Sequence, residues 1–288
     1  MGLGRAKPAD SSLLGLMQIA TMDRWALEEQ SRRRAQAVYV GDGVALCRVL
    51  GRYKFYVATS DVGFGAHIML DGVWEPWLTV FMARLIKPGM TVVDVGANHG
   101  YYTVLFADLV GPTGRVAAVE PHPVTARLLR KSVDVNGFRQ RVKVAEMAAS
   151  ANDSLSLTFH LPEGEPKNAR VIDSAIGDRT DRVSVKGGTI DGLLSRWKKI
   201  DFIKIDVEGA EEDAIAGLSG ILERDRPRML LEFNAARGRD PAALIDRLFD
   251  LYGDIRSVDF DSVALPVTRE DLLDPRHGED WLLYLGED

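Results

Sequence analysis

The chain has 288 residues, a net charge of −6 and a single cysteine, Cys47. Its length suits one α/β domain with an appendage or two smaller domains, and its 46% apolar content is ordinary for a protein with a buried core. The acidic balance offers no electrostatic surface for nucleic acid, and one cysteine excludes an internal disulfide framework and a thiolate zinc cluster.

The first 71 residues predict a small cap that consists of one helix and an antiparallel β-sheet. An amphipathic helix is expected from residues 11–12 to about Ala37, and its apolar face is a candidate surface for a homodimer. Its apolar stretch, Leu13 to Met22, is about half the length of a membrane span, and charged residues follow it where a signal sequence would be cleaved. We therefore predict no membrane span and a cytoplasmic location. Short β-type runs follow at Val38–Val40, Val44–Leu50 and Tyr53–Ala58.

From residue 72 onward the pattern alternates between helices and apolar strands. Seven strands are predicted at Thr91–Val95, Arg115–Glu120, Val142–Ala145, Phe202–Asp206, Met229–Phe233, Ile255–Asp259 and Trp281–Leu285. Helices are predicted at Trp74–Leu85, Tyr101–Leu109, Val124–Asn136, Thr189–Trp197 with Asp191 as its cap, Ala210–Leu222 and from Asp240 onward. An edge hairpin is expected at Leu155–Phe159 and a loop at Gly164–Asp181. This alternation indicates an α/β fold with a buried, mostly parallel sheet, which binds ligands beyond the carboxyl ends of its strands.

A glycine turn follows the first strand of this sheet, in the segment Asp94-Val95-Gly96-Ala97-Asn98-His99-Gly100. Gly96 allows a sharp turn and a close approach of ligand, and Gly100 allows close packing at the start of the next helix. The second strand ends at Glu120, whose carboxylate can accept both hydrogen bonds from a ribose diol. Together these features predict a ligand that contains a nucleoside.

The turn favours S-adenosylmethionine over a nicotinamide dinucleotide. It lacks the middle glycine of G-x-G-x-x-G, and the Asp94 carboxylate would repel a pyrophosphate. S-adenosylmethionine has no phosphate, and its sulfonium and ammonium groups suit a pocket lined with carboxylates. Two alternatives stay open on the residues alone, an NAD(P)-dependent oxidoreductase and a catalytically silent nucleoside-binding scaffold.

The turn resembles motif I of the Rossmann-like S-adenosylmethionine-dependent methyltransferases, and further blocks are similar to the FkbM-type family. These blocks are Trp74-Glu75-Pro76, Ile86–Gly89, Val93–Asn98, Thr189–Leu194 and Asp201–Glu211. The resemblance implies a doubly wound, seven-stranded sheet with an antiparallel carboxyl-terminal strand. It divides the chain into a cap over residues 1–71 and a methyltransferase domain over residues 72–288. It also implies O-methylation of a hydroxyl on a sugar, glycan or polyketide-like natural product.

The cofactor is expected to contact the glycine turn and the ends of the neighbouring strands. After the third strand, many related methyltransferases carry an Asp that this chain lacks, so we expect Met147 and Ala148 to hold the adenine by backbone and apolar contacts. The predicted cofactor-binding residues are Asp94, Gly96, Ala97, Asn98, Gly100, Tyr101, Glu120, Pro121, Met147, Ala148 and Asp206.

The fourth strand carries two charges, Lys204 and Asp206, on one face. Buried charges are costly unless they are paired, so these two pair with each other or with Glu232, or they face the ligand crevice. Asp206 is the first candidate for the base that orients the acceptor hydroxyl. His99 is the second, because it lies in the turn and titrates near neutrality. Lys204 and Glu208 complete the predicted catalytic group; Asp206, Glu208 and Glu232 could also hold Mg²⁺, but we predict no metal.

Overall fold

The amino-terminal region forms a cap of short helices and a three-stranded antiparallel sheet with the order β1-β2-β3. The computed structural model describes residues 13–153, 156–160, 170–171, 182–274, 276 and 278–287. The single helix predicted for this region is wrong, because the Asp23 carboxylate accepts a hydrogen bond from the Ala26 amide and starts a second helix. A further helix precedes residue 72. The cap elements are α1 (Leu16–Thr21), α2 (Arg24–Arg32), β1 (Ala37–Gly41), β2 (Val44–Val49), β3 (Tyr53–Ala58) and α3 (Phe64–Asp71).

The rest of the chain alternates between strands and helices, as its sequence pattern predicts. In chain order the elements are α4 (Pro76–Leu85), β4 (Thr91–Val95), α5 (Tyr101–Leu109), β5 (Arg115–Val119), α6 (Pro123–Val135), β6 (Val142–Ala145), β7 (Ala148–Ala149), β8 (Ser156–His160), β9 (Arg170–Val171), β10 (Arg182–Gly188), α7 (Ile190–Leu193), β11 (Phe202–Ile205), α8 (Glu211–Ala216), α9 (Ser219–Asp225), β12 (Arg228–Phe233), α10 (Pro241–Tyr252), β13 (Ile255–Val258), β14 (Ala264–Pro266), α11 (Arg269–Leu272) and β15 (Trp281–Leu285).

The central sheet has the order β14-β13-β15-β12-β11-β4-β5-β6. Strands β6, β5, β4, β11 and β12 are parallel, and β15 runs antiparallel to both β12 and β13. The α/β prediction and all seven predicted strands are confirmed. The strand count is wrong by one, because the short strand β14 pairs with the outer edge of β13. Its Pro266 has no amide hydrogen to donate and is tolerated at such an edge.

A smaller four-stranded sheet has the order β7-β10-β8-β9. Strand β8 falls in the region of the hairpin predicted at Leu155–Phe159 and pairs antiparallel with β10. The loop predicted at Gly164–Asp181 lies outside the described residues, apart from β9.

Two hydrophobic clusters cover the two faces of the central sheet. On one face, Val92 of β4 and Phe202 of β11 share a cluster with Phe55 of the cap and Phe106 of α5. On the other face, strand residues such as Ile203 pack with helices α7 to α10. The first cluster is continuous across the boundary predicted after residue 71. It includes Cys47, where burial raises the pKa of the thiol to about 11, in keeping with a structural role.

Side chains of α6 hydrogen-bond to the outer edge of β3. Ser132 Oγ accepts from the Tyr56 amide at 3.0 Å, and Asn136 Oδ1 accepts from the Lys54 amide at 3.1 Å. Asn136 Nδ2 also donates to the Lys54 carbonyl oxygen at 2.6 Å. Because these groups replace a missing neighbouring strand, they fix the cap against the main sheet.

Two helix predictions need correction around α7. Thr189, not Asp191, is its N-cap, and its side chain accepts from the Gly192 amide. Asp191 instead accepts from the Gly220 and Ile221 amides at the start of α9. The single helix predicted over Ala210–Leu222 is divided into α8 and α9. None of the helices in the described residues is both long and apolar enough to cross a membrane.

Candidate active site

A cavity of about 340 Å³ lies at the carboxyl ends of the parallel strands, between the central sheet and the cap. Its wall contains most of the predicted catalytic and cofactor-binding residues. Those that line it are Asp94, Gly96, Ala97, Asn98, Tyr101, Glu120, Pro121, Ala148, Lys204, Asp206 and Glu208. His99, Gly100 and Met147 are not among the described lining residues.

Gly96 brings the glycine turn against the end of β11. Its φ is +79°, and a Cβ there would lie 1.7 Å from the carbonyl oxygen of Asp206. The close approach that requires glycine is thus to the protein's own backbone. The Gly96 and Ala97 amides donate to the Val119 carbonyl oxygen, so the turn is also tied to β5.

His99 and Gly100 form the end of the turn and do not line the cavity. A Cβ at Gly100 would lie 2.8 Å from Leu129 Cγ, so this glycine allows α5 to pack on α6 as predicted. His99 is 1% exposed and stacks on Phe64. Its Nε2 accepts from the Ala58 amide, which leaves Nδ1–H to donate to Asn98 Oδ1 at 2.7 Å. Burial lowers the pKa of His99 to about 3, so this imidazole is neutral and connects the turn to the cap without reaching the cavity.

Glu120 fixes the turn from the neighbouring strand. Its two carboxyl oxygens accept from the Asn98 and His122 amides, each at 2.8 Å. Burial raises its pKa to about 7, against the opposing effect of these two hydrogen bonds. The carboxyl group lines the cavity where the sequence predicts the ribose.

The parallel register places four ionisable side chains on one face of the sheet. Lys204 of β11 lies beside Asp94 of β4, and the same register brings Asp206 next to Glu232 of β12. Lys204 is 3% exposed, and its Nζ donates to Asp206 Oδ2 at 2.8 Å. Burial alone would lower the pKa of Lys204, but Asp206 and Asp94 raise it above its usual range, so the side chain is an ammonium.

Asp94 has one oxygen that no described residue satisfies. Thr103 donates to its Oδ2 at 2.6 Å, while its Oδ1 is buried without a hydrogen-bond partner. Burial raises the pKa of Asp94, and Lys204 opposes that shift only in part. An unsatisfied buried acceptor in a cavity wall marks a position where a ligand donor is needed.

Asp206 and Glu232 share a hydrogen bond, with the proton on Glu232. Burial and the Asp206 charge raise the pKa of Glu232 far above its usual range. Burial would also raise the pKa of Asp206, but Lys204 and the hydrogen bond from Glu232 hold it below its usual range. Asp206 is therefore the ionised member of the pair.

Arg237 lies among the remaining acids of the cavity mouth, and sequence reasoning missed it. Its guanidinium donates to Glu208 Oε2 and Asp280 Oδ2, both at 2.9 Å, and lies 3.5 Å from Glu232 Oε1. Oxygens of Asp206, Glu208 and Glu232 lie within 4.8 Å of one another, as in a metal site, but the Arg237 guanidinium already pairs with Glu208 and lies near Glu232. Arg237 follows β12 closely, so the rule that ligands bind at carboxyl strand ends is the signal that could have found it.

The cap and the start of α4 complete the opposite wall with groups that the sequence left unassigned. Phe64 and Trp74 line it, with ring centroids 5.3 Å apart. Glu75 lies there with φ +42°, and the Tyr102 hydroxyl donates to its Oε2 at 2.7 Å. Because the residue before a proline rarely adopts this conformation, the backbone of Glu75 is held under strain.

The lining fits S-adenosylmethionine. Asp94 Oδ1 offers an unused acceptor for an ammonium, the Glu120 carboxyl group can receive ribose hydroxyls, and Ala148 supplies apolar surface beyond β6. Met147, predicted to contact adenine, instead lies near Gly188, whose ideal Cβ would be 3.0 Å from the Met147 methyl carbon. The neighbouring Ala149 lines the cavity in its place.

Comparisons with known proteins agree with this fit. Residues 94–261, more than half of the chain, match the family model described as the methyltransferase FkbM domain. The chain is 40% identical over 83 residues to a protein-L-isoaspartate O-methyltransferase of Aeropyrum pernix, covering 29% of this chain and 31% of that protein. It is 35% identical over 106 residues to protein-L-isoaspartate O-methyltransferase 1 of Arabidopsis thaliana, covering 36% and 46%. The chain thus spans less than half the length of these relatives.

Two solved structures resemble the chain with low sequence identity. The methyltransferase FkbM of Methylobacillus flagellatus has a TM-score of 0.44 and 16% identity, covering 73% of this chain and 53% of that one. Fibrillarin of Aeropyrum pernix, solved with S-adenosyl-L-methionine bound, has a TM-score of 0.40 and 14% identity, covering 87% and 97%. On the match of its sequence to the family model, the chain belongs to the FkbM-type methyltransferases, whose cofactor is S-adenosylmethionine.

Proposed function

We propose that this chain transfers a methyl group from S-adenosylmethionine to a hydroxyl of a sugar, glycan or polyketide-like natural product. The observation that carries the proposal is the position of Asp206, which lines the cavity, accepts from Lys204 Nζ at 2.8 Å and has its carbonyl oxygen against the Gly96 turn. The names of the relatives, O-methyltransferases, support oxygen as the acceptor atom.

Asp206 orients the acceptor hydroxyl and receives its proton at a carboxylate oxygen. S-adenosylmethionine supplies an already activated methyl group, so the protein needs mainly to align the reactants and to accept one proton. The low pKa of Asp206 suits this role, because a hydroxyl oxygen that gains a third bond becomes strongly acidic. A weak base such as the Asp206 carboxylate is then sufficient to accept the proton.

Lys204 keeps Asp206 ionised and in place. Its Nζ donates to Asp206 Oδ2, and its charge lies 5.0 Å from the Tyr102 ring centroid, within cation–π range. Glu208 is held by Arg237 at the cavity mouth and is proposed to contact the acceptor. Within the described residues, His99 is enclosed by the cap, so we assign it a positioning role.

Two measurements on one set of variants test this function. Calorimetry with S-adenosylhomocysteine tests the cofactor site, and transfer of labelled methyl to a panel of polyols tests turnover. Asp206→Asn should keep cofactor affinity within about threefold and lower turnover by about a hundredfold or more. Asp201→Asn is a matched control, since Asp201 precedes the same strand and pairs with Lys199 at 2.9 Å outside the cavity.

The alternatives give different results in the same measurements. Turnover that survives in Asp206→Asn would overturn the assigned role. Normal S-adenosylhomocysteine binding without transfer to any acceptor would indicate a silent scaffold. Retention of NADH with no S-adenosylhomocysteine binding would indicate an oxidoreductase. The cap boundary after residue 71 and the homodimer through the first helix stay predictions.

A further inference from the structure

Acidic groups greatly outnumber basic groups in the cavity wall. Among its described lining residues are seven carboxyl groups and two cations, an excess of five. The carboxyl groups belong to Glu75, Asp94, Glu120, Asp206, Glu208, Glu232 and Asp280. Protonation of Glu232 removes one negative charge. A bound cofactor brings one net positive charge, since its sulfonium and ammonium outweigh its carboxylate. Asp94 and Glu120 are assigned to the cofactor, so the four acids Glu75, Asp206, Glu208 and Asp280 are left with two cations, a negative excess of two on the acceptor side.

Both cations in the wall are already bound by carboxylates. Lys204 pairs with Asp206 at 2.8 Å, and Arg237 pairs with Glu208 and Asp280, each at 2.9 Å. Neither is available to bind an anionic acceptor without breaking these contacts. The Arg237 guanidinium also lies between Glu208 and Glu232, where it would repel a metal ion.

Aromatic side chains line the same cavity as these acids. Phe64 and Trp74 both line the wall, and Trp74 precedes the strained Glu75. Aromatic faces attract cations through their quadrupole and pack against the C–H faces of sugars. A cavity lined by aromatic rings and by an excess of carboxyl groups thus favours a ligand with both properties.

We propose that the methyl acceptor is a cation, a sugar or polyol that carries an amino group close to the hydroxyl that is methylated. This inference rests on the proposed function and specifies its substrate class. The ammonium contacts the carboxylates of the cavity mouth, while the hydroxyl faces Asp206. Anionic acceptors are excluded by the same charges.

Matched acceptors test the inference directly. Methyl glucosides that carry at one carbon an amine, an acetamide or a hydroxyl, together with the matching glucuronide, differ in charge on a common ring. Methyl transfer from labelled S-adenosylmethionine and calorimetry on the S-adenosylhomocysteine complex are measured for each. The amine should exceed the acetamide at least tenfold in kcat/KM or in affinity, and the glucuronide should be the poorest.

A variant pair locates the source of the preference. Asp280→Asn removes one charge from the cavity mouth but keeps an acceptor for Arg237, so the amine-to-acetamide ratio should fall about fivefold. Asp246→Asn is the matched control, because Asp246 also pairs with an arginine, Arg269, but does not line the cavity. The amine-to-acetamide ratio of Asp246→Asn should equal that of the unaltered protein.

The possible failures are distinguishable. An acetamide or glucuronide that binds or reacts as well as the amine overturns the inference and leaves the proposed function standing. The same holds if the ratio is unchanged in Asp280→Asn while that variant binds S-adenosylhomocysteine normally. If the unaltered protein does not bind S-adenosylhomocysteine, the proposed function is overturned, and this inference with it.

Discussion

At the scale of single residues, Glu120 couples folding to pH. Its pKa of about 7 in the folded protein lies above its ordinary value of 4.5, so the folded state holds this proton more tightly than the unfolded chain. The stability that it contributes is complete below pH 4.5 and is lost as the pH rises through 7. Between pH 4.5 and 8 the unaltered protein should lose at most about 3 kcal/mol of unfolding free energy through this group, and Glu120→Gln should abolish that loss. Urea unfolding of both proteins across this range measures the difference; parallel pH profiles would contradict it.

The same carboxyl group should make cofactor binding depend on pH in the opposite direction. In the predicted contact the ribose hydroxyls donate to the ionised carboxylate, so we expect the proton to leave Glu120 before the ligand binds. With a pKa of about 7, the affinity for S-adenosylhomocysteine should rise about tenfold from pH 6 to pH 8. Calorimetry at both pH values checks this, and the rise should disappear in Glu120→Gln. Glu146→Gln, at an exposed acid paired with Arg130, is the control.

At the scale of elements, the contact between β4 and β11 depends on Gly96. Gly96→Ala adds a methyl group 1.7 Å from the Asp206 carbonyl oxygen and strains a φ of +79°. Gly111→Ala is a matched control, because its φ is +66° and no described atom lies within 4 Å of its ideal Cβ. We expect Gly111→Ala to cost about 1 kcal/mol of unfolding free energy and Gly96→Ala more than about 3 kcal/mol. Equal losses of unfolding free energy in the two variants would show that the close approach of Gly96 to Asp206 does not contribute to stability.

At the scale of the whole molecule, the cap and the main sheet should unfold together. One hydrophobic cluster contains Phe55 of the cap and Phe106 of α5, and Asn136 adds two hydrogen bonds across the junction. Far-ultraviolet circular dichroism and the fluorescence of Trp25 in the cap, with the other tryptophans replaced by phenylalanine, should give one coincident transition. Asn136→Ala should lower the unfolding free energy by about 1 to 2 kcal/mol without separating the two signals. Separate transitions would establish an independent cap.

The sequence predicts the central strands well because each is a short, mostly apolar run between turn residues. Among the elements that it misses are β10, α3, α11 and β14, of which β14 is only Ala264-Leu265-Pro266 and ends in proline. It also nominates most of the carboxylates at the cavity, because strand ends in a parallel sheet meet at one edge.

Residues brought together by the cap could not be predicted in the same way. His99 reads as a base in the turn, but Ala58 and Phe64, distant in the chain, enclose it. Glu75 reaches the cavity through a strained backbone, which has no sequence period. Such positions depend on how the elements pack, and a single sequence contains no direct signal of that packing.

The backbone contact between Gly96 and Asp206 also limits how this enzyme can diversify. Asp206, the proposed base, and the glycine turn meet without an intervening side chain, so mutation cannot adjust their separation by exchanging residues between them. The strand ends are in this sense fixed, while Trp74 lines the cavity as a half-buried side chain that can be exchanged. Libraries designed to change acceptor range should therefore vary Trp74 and leave the strand ends untouched.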